Sequence, residues 1–345
     1  MKPFIRFLIL AIALVYSLCG SKDRCGKEYG VCDEDDCCSK YGWCGQTEEH
    51  CEAGCQPDYG ICGSNKGTDE FVPGEGKIEW AGFRCSQSGI EKSFDKMPDG
   101  ERWVEYLTKM KKHFNSDAKP IVIVIVSSIR EDKINKFLFP APEGYSETDS
   151  IKFSSSDLYE KILTKFDKEG INVWIQVDPG KNDLNVLAEI ALSKYGHHDC
   201  VKGFGVDLEW WKNHEEKEGH GSKISDDEAK KLVKTVRKIN SKYTVFVKHW
   251  DAKYMPETYR DGMIFVNDSQ DLHTISNAQD EFKEFAEKFE NNPVFFQIGY
   301  RADEHLWVRG PIDFAKNIIK EVTKKNKHVG IIWVDFTMKD ALSQM

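Results

Sequence analysis

Cys37-Cys38-Ser39-Lys40-Tyr41-Gly42-Trp43-Cys44-Gly45 lies at the centre of eight cysteines packed between Cys25 and Cys62. Cysteines this dense cannot be a hydrophobic core. They read as a disulfide framework holding a module too short to fold on apolar burial alone. The spacing is C-x6-C-x4-CC-x5-C-x6-C-x3-C-x6-C, and by itself it leaves about 105 ways of pairing eight cysteines. Tyr41 and Trp43 flank Gly42, where their faces can reach solvent and stack on a sugar ring.

Upstream, Met1-Lys2-Pro3-Phe4-Ile5-Arg6 is a short basic start. The apolar run Phe7 to Leu18 that follows is too short to span a bilayer. This pattern predicts a secretory signal peptide over residues 1–20, with cleavage near Cys19 and Gly20. Secretion accounts for the cysteine usage, because disulfides persist outside the cytosol. The 345 residues carry a formal net charge of −9 and no basic stripe, which argues against nucleic acid or an anionic membrane surface as partner. A neutral polymer is compatible with such a chain. A monomer is expected, and no cofactor.

Downstream, residues 63–76 are rich in Gly, Ser, Asn and charge and predict a linker. From residue 77 to 345, short β-branched and aromatic runs alternate with amphipathic stretches. Expected strands cover 78–84, 121–127, 171–177, 201–209, 243–249, 263–267, 294–299 and 329–335. Helical spacing is visible in Leu158, Ile162 and Phe166, and again in Phe282, Phe285 and Phe289. Ser225 with Glu228 predicts a capping box, and Pro311 a first-turn proline. Eight strands alternating with helices predict a (β/α)8 barrel. The rival, a doubly wound open sheet, more often carries a Gly-rich phosphate loop after its first strand, and none is present.

The CCS-x-Y-G-W-C-G core and the cysteine ladder of residues 24–62 closely resemble the hevein-type chitin-binding module. That resemblance implies the pairs Cys25–Cys38, Cys32–Cys44, Cys37–Cys51 and Cys55–Cys62. It also implies that Ser39, Tyr41 and Trp43 contact the sugar. The family usually places a third aromatic just before the sixth cysteine. His50 stands there, which predicts weaker or more pH-sensitive binding.

The fourth expected strand runs Val201-Lys202-Gly203-Phe204-Gly205-Val206-Asp207-Leu208-Glu209-Trp210-Trp211. Alternation puts Asp207 and Glu209 on one face, at the C-terminal end where barrel enzymes place their chemistry. Two adjoining carboxylates and a neighbouring Trp raise one proton affinity, which suits a general acid. This stretch resembles the strand-four signature D-G-x-D-x-D-x-E of chitinase-type family 18 glycoside hydrolases, matching at Gly203, Asp207 and Glu209. The resemblance implies that Glu209 protonates the glycosidic oxygen, while Asp207 orients the substrate's N-acetyl group for attack on the anomeric carbon. It also implies that Trp333, in the last strand, floors the sugar site. Two departures stand out. Gly205 replaces a family Asp, and the sixth strand lacks the family's Tyr, leaving Asn267, Asp268 or Tyr300 to substitute.

Competing readings exist for each group. Asp207 and Glu209 could belong to a buried ion network with Lys248 or His249. Gln176, Asp178, Gln297 and Asp335 suit a polar barrel mouth or layer-closing hydrogen bonds equally well. A metal held by Asp178, Asp207 and His249 is disfavoured by their scatter, and His197-His198 reads as a solvated loop pair; no metal is expected. Asn267-Asp268-Ser269 is a glycosylation acceptor sequence, which is incompatible with Asn267 lining the mouth. Cys85 and Cys200 fall near opposite barrel ends and have no expected partner. The expectation is therefore a chitin-binding glycoside hydrolase. The alternatives are an inactive chitin-binding lectin and a lysozyme-type muramidase, the last opposed by Arg84 where those enzymes want a carboxylate.

Overall fold

A computed structural model describes residues 23–33, 36–51, 54–60, 62, 76–129, 134–212 and 220–345. The expected leader (1–20) and the expected linker, apart from Gly76, lie outside the described residues. The chain divides into two compact units, one on either side of residue 70.

In the first unit the bonded pairs are Cys25–Cys38, Cys32–Cys44, Cys37–Cys51 and Cys55–Cys62. Two tiny strands, Cys37–Cys38 and Cys44–Gly45, pair antiparallel, and a single helical turn spans Glu48–Cys51. The buried interior is mostly cystine sulfur, from Cys25, Cys37, Cys38 and Cys51. Gly42 makes the turn between the strands at φ +75°. A Cβ there would meet the Cys25 carbonyl at 2.9 Å, so a side chain is excluded by both space and backbone.

The second unit is a closed barrel of eight parallel strands with helices between them. They are β1 (Trp80–Cys85), β2 (Lys119–Ile125), β3 (Asn172–Val177), β4 (Val201–Asp207), β5 (Thr244–Lys248), β6 (Met263–Asn267), β7 (Val294–Ile298) and β8 (Val329–Trp333). β8 pairs with β1 and closes the ring. The expected (β/α)8 architecture is present. β2 begins and ends two residues earlier than expected. Two expected strands run too far: β8 ends at Trp333, ahead of a 3-10 turn at Asp335–Thr337, and β4 ends at Asp207, where Leu208–Trp210 form another 3-10 turn. Asp207 itself stops the strand, because its side chain caps that turn by accepting from the Glu209 N–H.

Alternation along the strands sorts the apolar residues into two cores. Trp80, Ile121, Ile123, Trp174, Phe246, Ile264, Val266, Phe295 and Ile332 fill the barrel. A much larger set, including Phe83, Val124, Phe204 and Trp333, packs outward against the helices. Inward glycines make room for the inward aromatics. A Cβ on Gly205 would overlap the Phe246 ring, and one on Gly330 would press on Phe295. Gly205 therefore stands where the resembled family has an aspartate because Phe246 already fills that volume.

The helices follow the local signals. Asp226–Ile239 opens with the Ser225/Glu228 capping box, and Pro311–Val322 begins at its proline. Glu160–Glu169 buries Ile162, Leu163 and Phe166, while Ile275–Lys288 buries Phe282 and Phe285. A small three-stranded sheet, Ser127–Ile129, Asn135–Phe137 and Ile151–Phe153, follows β2 and was not expected from sequence. Cys85 and Cys200 are both buried and neither is in a disulfide. Among the described residues no helix is long and apolar enough to cross a membrane.

Candidate active site

In β4, Phe204 and Val206 belong to the outer core, so Gly203, Gly205 and Asp207 face into the barrel. Asp207 is the first side chain of β4 to reach the C-terminal mouth. In β5, Phe246 faces in, and so does Lys248 two residues on, in register with Asp207 on the neighbouring strand. In β6, Ile264 and Val266 face in, which carries Asp268 to the same place. Closure of the ring thus converges three charged side chains from three strands.

The Lys248 ammonium lies 2.7 Å from Asp207 Oδ2 and also pairs with Asp268. All three side chains are almost fully buried. Burial opposes the Lys248 charge, but Asp207 and Asp268 outweigh it and hold its pKa well above the ordinary value. Burial likewise pushes the Asp268 carboxyl up, and Lys248 more than reverses this, so Asp268 is held ionised. Of the two cations considered from sequence, Lys248 joins the carboxylates. His249 does not: its Nε2 meets the His220 carbonyl and its Nδ1 accepts from the Asp251 N–H.

Glu209 sits on the 3-10 turn, with oxygens of Asp207, Glu209 and Asp268 all within 4.8 Å of one another. Burial is the main reason its pKa is pushed up, to about 9; the Asp268 charge adds to it, and a hydrogen bond to Asp268 keeps the proton in place. Glu209 is therefore a neutral acid at pH 7. Asp178, just beyond β3, is pushed up to about 7, first by burial and then by Asp207. The polar side chains that close the barrel beneath are fully buried. Gln176 donates to Asp178, and Gln297 accepts from the Tyr300 hydroxyl. Unpaired polar atoms gather at this end: Gln176 Oε1, Glu209 Oε1, Asp268 Oδ1 and Gln297 Nε2 make no hydrogen bond. Buried polar atoms are seldom left so, and a concentration of them marks a place for a polar ligand.

A cleft of about 940 Å³ opens beside these groups, lined among others by Arg84, Ser127, Asp178, Asp207, Trp210 and Phe336. Trp210 is 49 % exposed, an aromatic face at the rim next to the acid. The three-stranded sheet supplies one wall through Ser127, Ser128 and Ile129. Arg84 is tied to the buried Asp335 carboxylate at 2.7 Å, and that carboxylate also accepts from the Ser86 N–H.

Several expected site residues fall elsewhere. Trp333 points outward and is wholly buried; it packs edge-on against Trp307 and donates to Thr337 Oγ1. The inward residue of β8 is Ile332, so Trp333 cannot floor the mouth. Asn267 also faces away, with its Nδ2 donating to the Trp250 carbonyl, whereas Asp268 reaches the mouth. That amide is buried and committed, so a glycan on it is incompatible with this fold. Tyr300 is buried near Asp268, Lys248 and Glu209, and burial followed by the Asp268 charge pushes its pKa up. Asp178, Asp207 and His249 do not converge as a metal-holding trio among the described residues. Trp210 and Phe336 were not singled out as sugar platforms from sequence. The Trp210-Trp211 pair following the acid was the available signal.

In the small module Tyr41 is 71 % and Trp43 47 % exposed. The Arg24 guanidinium covers one face of Trp43 at 4.3 Å, leaving the other as a stacking surface. Ser39 is buried rather than open; its Oγ accepts from the Trp43 N–H and fixes the turn that presents both rings. His50 bonds Thr47 through Nδ1 and lays its ring over Gly45, so part of that ring is covered.

Residues 19–62 match the family described as Chitin recognition protein. The first unit is thus a hevein-type chitin-binding module, placed ahead of an eightfold parallel barrel. A chitin deacetylase from Pestalotiopsis sp is 56 % identical over 41 residues, 12 % of this chain, and a basic endochitinase from Vitis vinifera is 44 % identical over 54 residues, 15 % of it. The chain spans 14 % and 16 % of the length of these two curated relatives. Among solved structures, Bacteroides uniformis β-glucuronidase aligns over 74 % of this chain and 30 % of its own, with 11 % identity and a TM-score of 0.44. The β-1,4-D-mannanase of Cryptopygus antarcticus aligns over 78 % and 90 %, with 9 % identity and a TM-score of 0.42. Likeness this distant is silent on the barrel's chemistry.

Proposed function

We propose that this chain is a secreted, modular glycoside hydrolase that grips chitin with its hevein-type module and cleaves chitin, or a related N-acetylglucosamine polymer, in its barrel. The observation that carries this is Glu209: a carboxylic acid whose pKa is pushed up to about 9, in the 3-10 turn just past β4, next to Asp207 and Trp210, which line an open cleft. In this reading Glu209 gives its proton to the glycosidic oxygen as the C–O bond breaks. The substrate's own acetamide oxygen closes on the anomeric carbon, with Asp207 holding the acetamide. Water then opens that ring, and its proton returns to Glu209. Burial raises the Asp207 pKa and Lys248 opposes that rise while holding the carboxyl in place, and Trp210 offers the rim aromatic. Tyr41 and Trp43 raise the local concentration of polymer for a weakly binding cleft. The four disulfides of the module and its relatives' chitin-directed names fit an extracellular protein acting on such a polymer.

A binding-only barrel is favoured by one observation: the Lys248 clamp engages both acidic neighbours of Glu209. A muramidase has no comparable support, since Arg84 is locked on Asp335 where that chemistry wants a carboxylate. The deciding experiment is hydrolysis of a chromogenic chitooligosaccharide by full-length protein and Glu209→Gln, with chitin-bead retention measured on both. Loss of hydrolysis with retained binding supports the enzyme. Equal inertness of the two proteins supports the lectin.

A further inference from the structure

Away from the mouth, Glu160, His197 and His198 come together where the loop before β4 meets the helix Glu160–Glu169. The loop starts as helix Leu184–Tyr195 ends at Gly196, and turns so that both imidazoles face that neighbouring helix. Glu160 and Asp167 are seven residues apart, two helical turns, and so share the face that meets the loop. The sequence reading of a solvated histidine pair fails for His198, whose side chain is 4 % exposed; His197 is 58 % exposed. β4 runs from this end to the mouth, roughly 20 Å for a strand of its length.

The donor atoms of Glu160, His197 and His198 lie within 4.8 Å of one another, close enough to share one ion. His197 Nε2 and His198 Nε2 each lie 3.3 Å from the same atom, Glu160 Oε1. Two bonds of about 2.0–2.1 Å meeting at the tetrahedral angle put their donor atoms about 3.3–3.4 Å apart. The other Glu160 oxygen is taken by Lys194 at 2.8 Å, and that ammonium is balanced again by Asp157 at 2.8 Å. Behind the site, Asp167 Oδ2 stands 2.7 Å from His198 Nδ1, and Asp167 Oδ1 accepts from the Cys200 N–H. Asp167 is thereby fixed as an acceptor and assigns the imidazole proton to Nδ1. In the neutral ring with its proton on Nδ1, Nε2 keeps its lone pair; it is buried and makes no hydrogen bond, although a carboxylate oxygen is 3.3 Å away. Two acceptors facing one another repel unless a cation lies between them. A carboxylate behind an imidazole that turns its far nitrogen to a shared point is the arrangement that orients zinc-binding histidines.

We propose that Glu160 Oε1, His197 Nε2 and His198 Nε2 bind a divalent zinc ion, with Asp167 as the positioning residue behind His198. Two imidazoles and one carboxylate suit zinc rather than calcium or magnesium. The exposure of His197 leaves the fourth position open to solvent. The ion would pin the helix Glu160–Glu169 to the loop that leads into β4.

The test is a zinc titration of full-length, chelator-stripped protein against a chromogenic zinc indicator, with inductively coupled plasma analysis for stoichiometry. One equivalent is expected to bind. His197→Ala changes a side chain that is 58 % exposed, and should weaken binding at least ten-fold. Asp167→Asn should weaken it 10- to 100-fold, in line with outer-shell partners elsewhere. Cobalt should give the intense visible absorption of a tetrahedral site in wild type and lose it in His197→Ala. Failure to take up zinc overturns the proposal. Uptake unaffected by His197→Ala, or abolished by Glu209→Gln instead, also overturns it, by moving the ion to the mouth.

Discussion

Replacing Glu209 by Gln should stabilise the fold at neutral pH, by an amount that grows with pH. The ordinary glutamate value is 4.5, and in the folded protein burial and Asp268 push Glu209 up to about 9. Below pH 4.5 the side chain is protonated whether the chain is folded or not, and its contribution to stability is fully present. As pH rises from there, the unfolded chain releases the proton and the folded chain keeps it. Stability therefore falls by about 1.4 kcal/mol per pH unit, until Glu209 ionises in the folded state too, near pH 9. At pH 7 the accumulated cost is at most about 3.5 kcal/mol, a ceiling because the side chain is not wholly buried. Gln never carries the charge, and its amide can donate to Asp268 as the acid does. Thermal unfolding of both proteins from pH 4 to pH 9 checks this. The melting curves should coincide near pH 4 and separate upward, with Glu209→Gln several degrees higher at pH 7. The same variant should lose hydrolysis by roughly 100-fold or more, the usual contribution of a positioned general acid. Wild-type hydrolysis should itself decline as pH passes about 9, when the acid loses its proton. A stability difference of constant size across the pH range would refute the protonated-acid assignment, as would a less stable variant at pH 8.

Gly205→Asp, which restores the carboxylate of the resembled family, should destabilise the barrel by about 3 kcal/mol or more, because it drives a buried charge into the Phe246 ring; a thermal melt reads this directly. Lys248→Met leaves Asp207 and Asp268 buried without their cation and should cost about 3–5 kcal/mol, measured by denaturant unfolding. Tyr41→Ala removes an exposed stacking face and should weaken retention on chitin beads several-fold, without altering the barrel's melting transition.

Much of the architecture was legible because it rests on local signals. The eight barrel strands fall inside or close to the expected runs, since β-branched stretches, the Ser225 capping box and Pro311 act within a few residues of themselves. The end of β4 was misplaced because Asp207 caps the turn after it, a choice that side-chain alternation does not reveal. Trp333 was assigned to the wrong side of β8. Ile332 faces the interior, and a one-residue difference in phase exchanges the two faces of a strand.

By itself, the sequence determined that the front of this protein is a cystine-held module presenting Tyr41 and Trp43, and that the rest alternates strand and helix eight times. It also placed Asp207 and Glu209 at a strand's C-terminal end. What only the tertiary structure decided is which charges meet there. Lys248 lies between Asp207 and Asp268, and Glu209 keeps its proton, because ring closure and strand register bring β4, β5 and β6 side by side. Periodicity is written in neighbouring residues, but the partner of a buried charge is set by contacts tens of residues away along the chain, and those exist only once the barrel has closed.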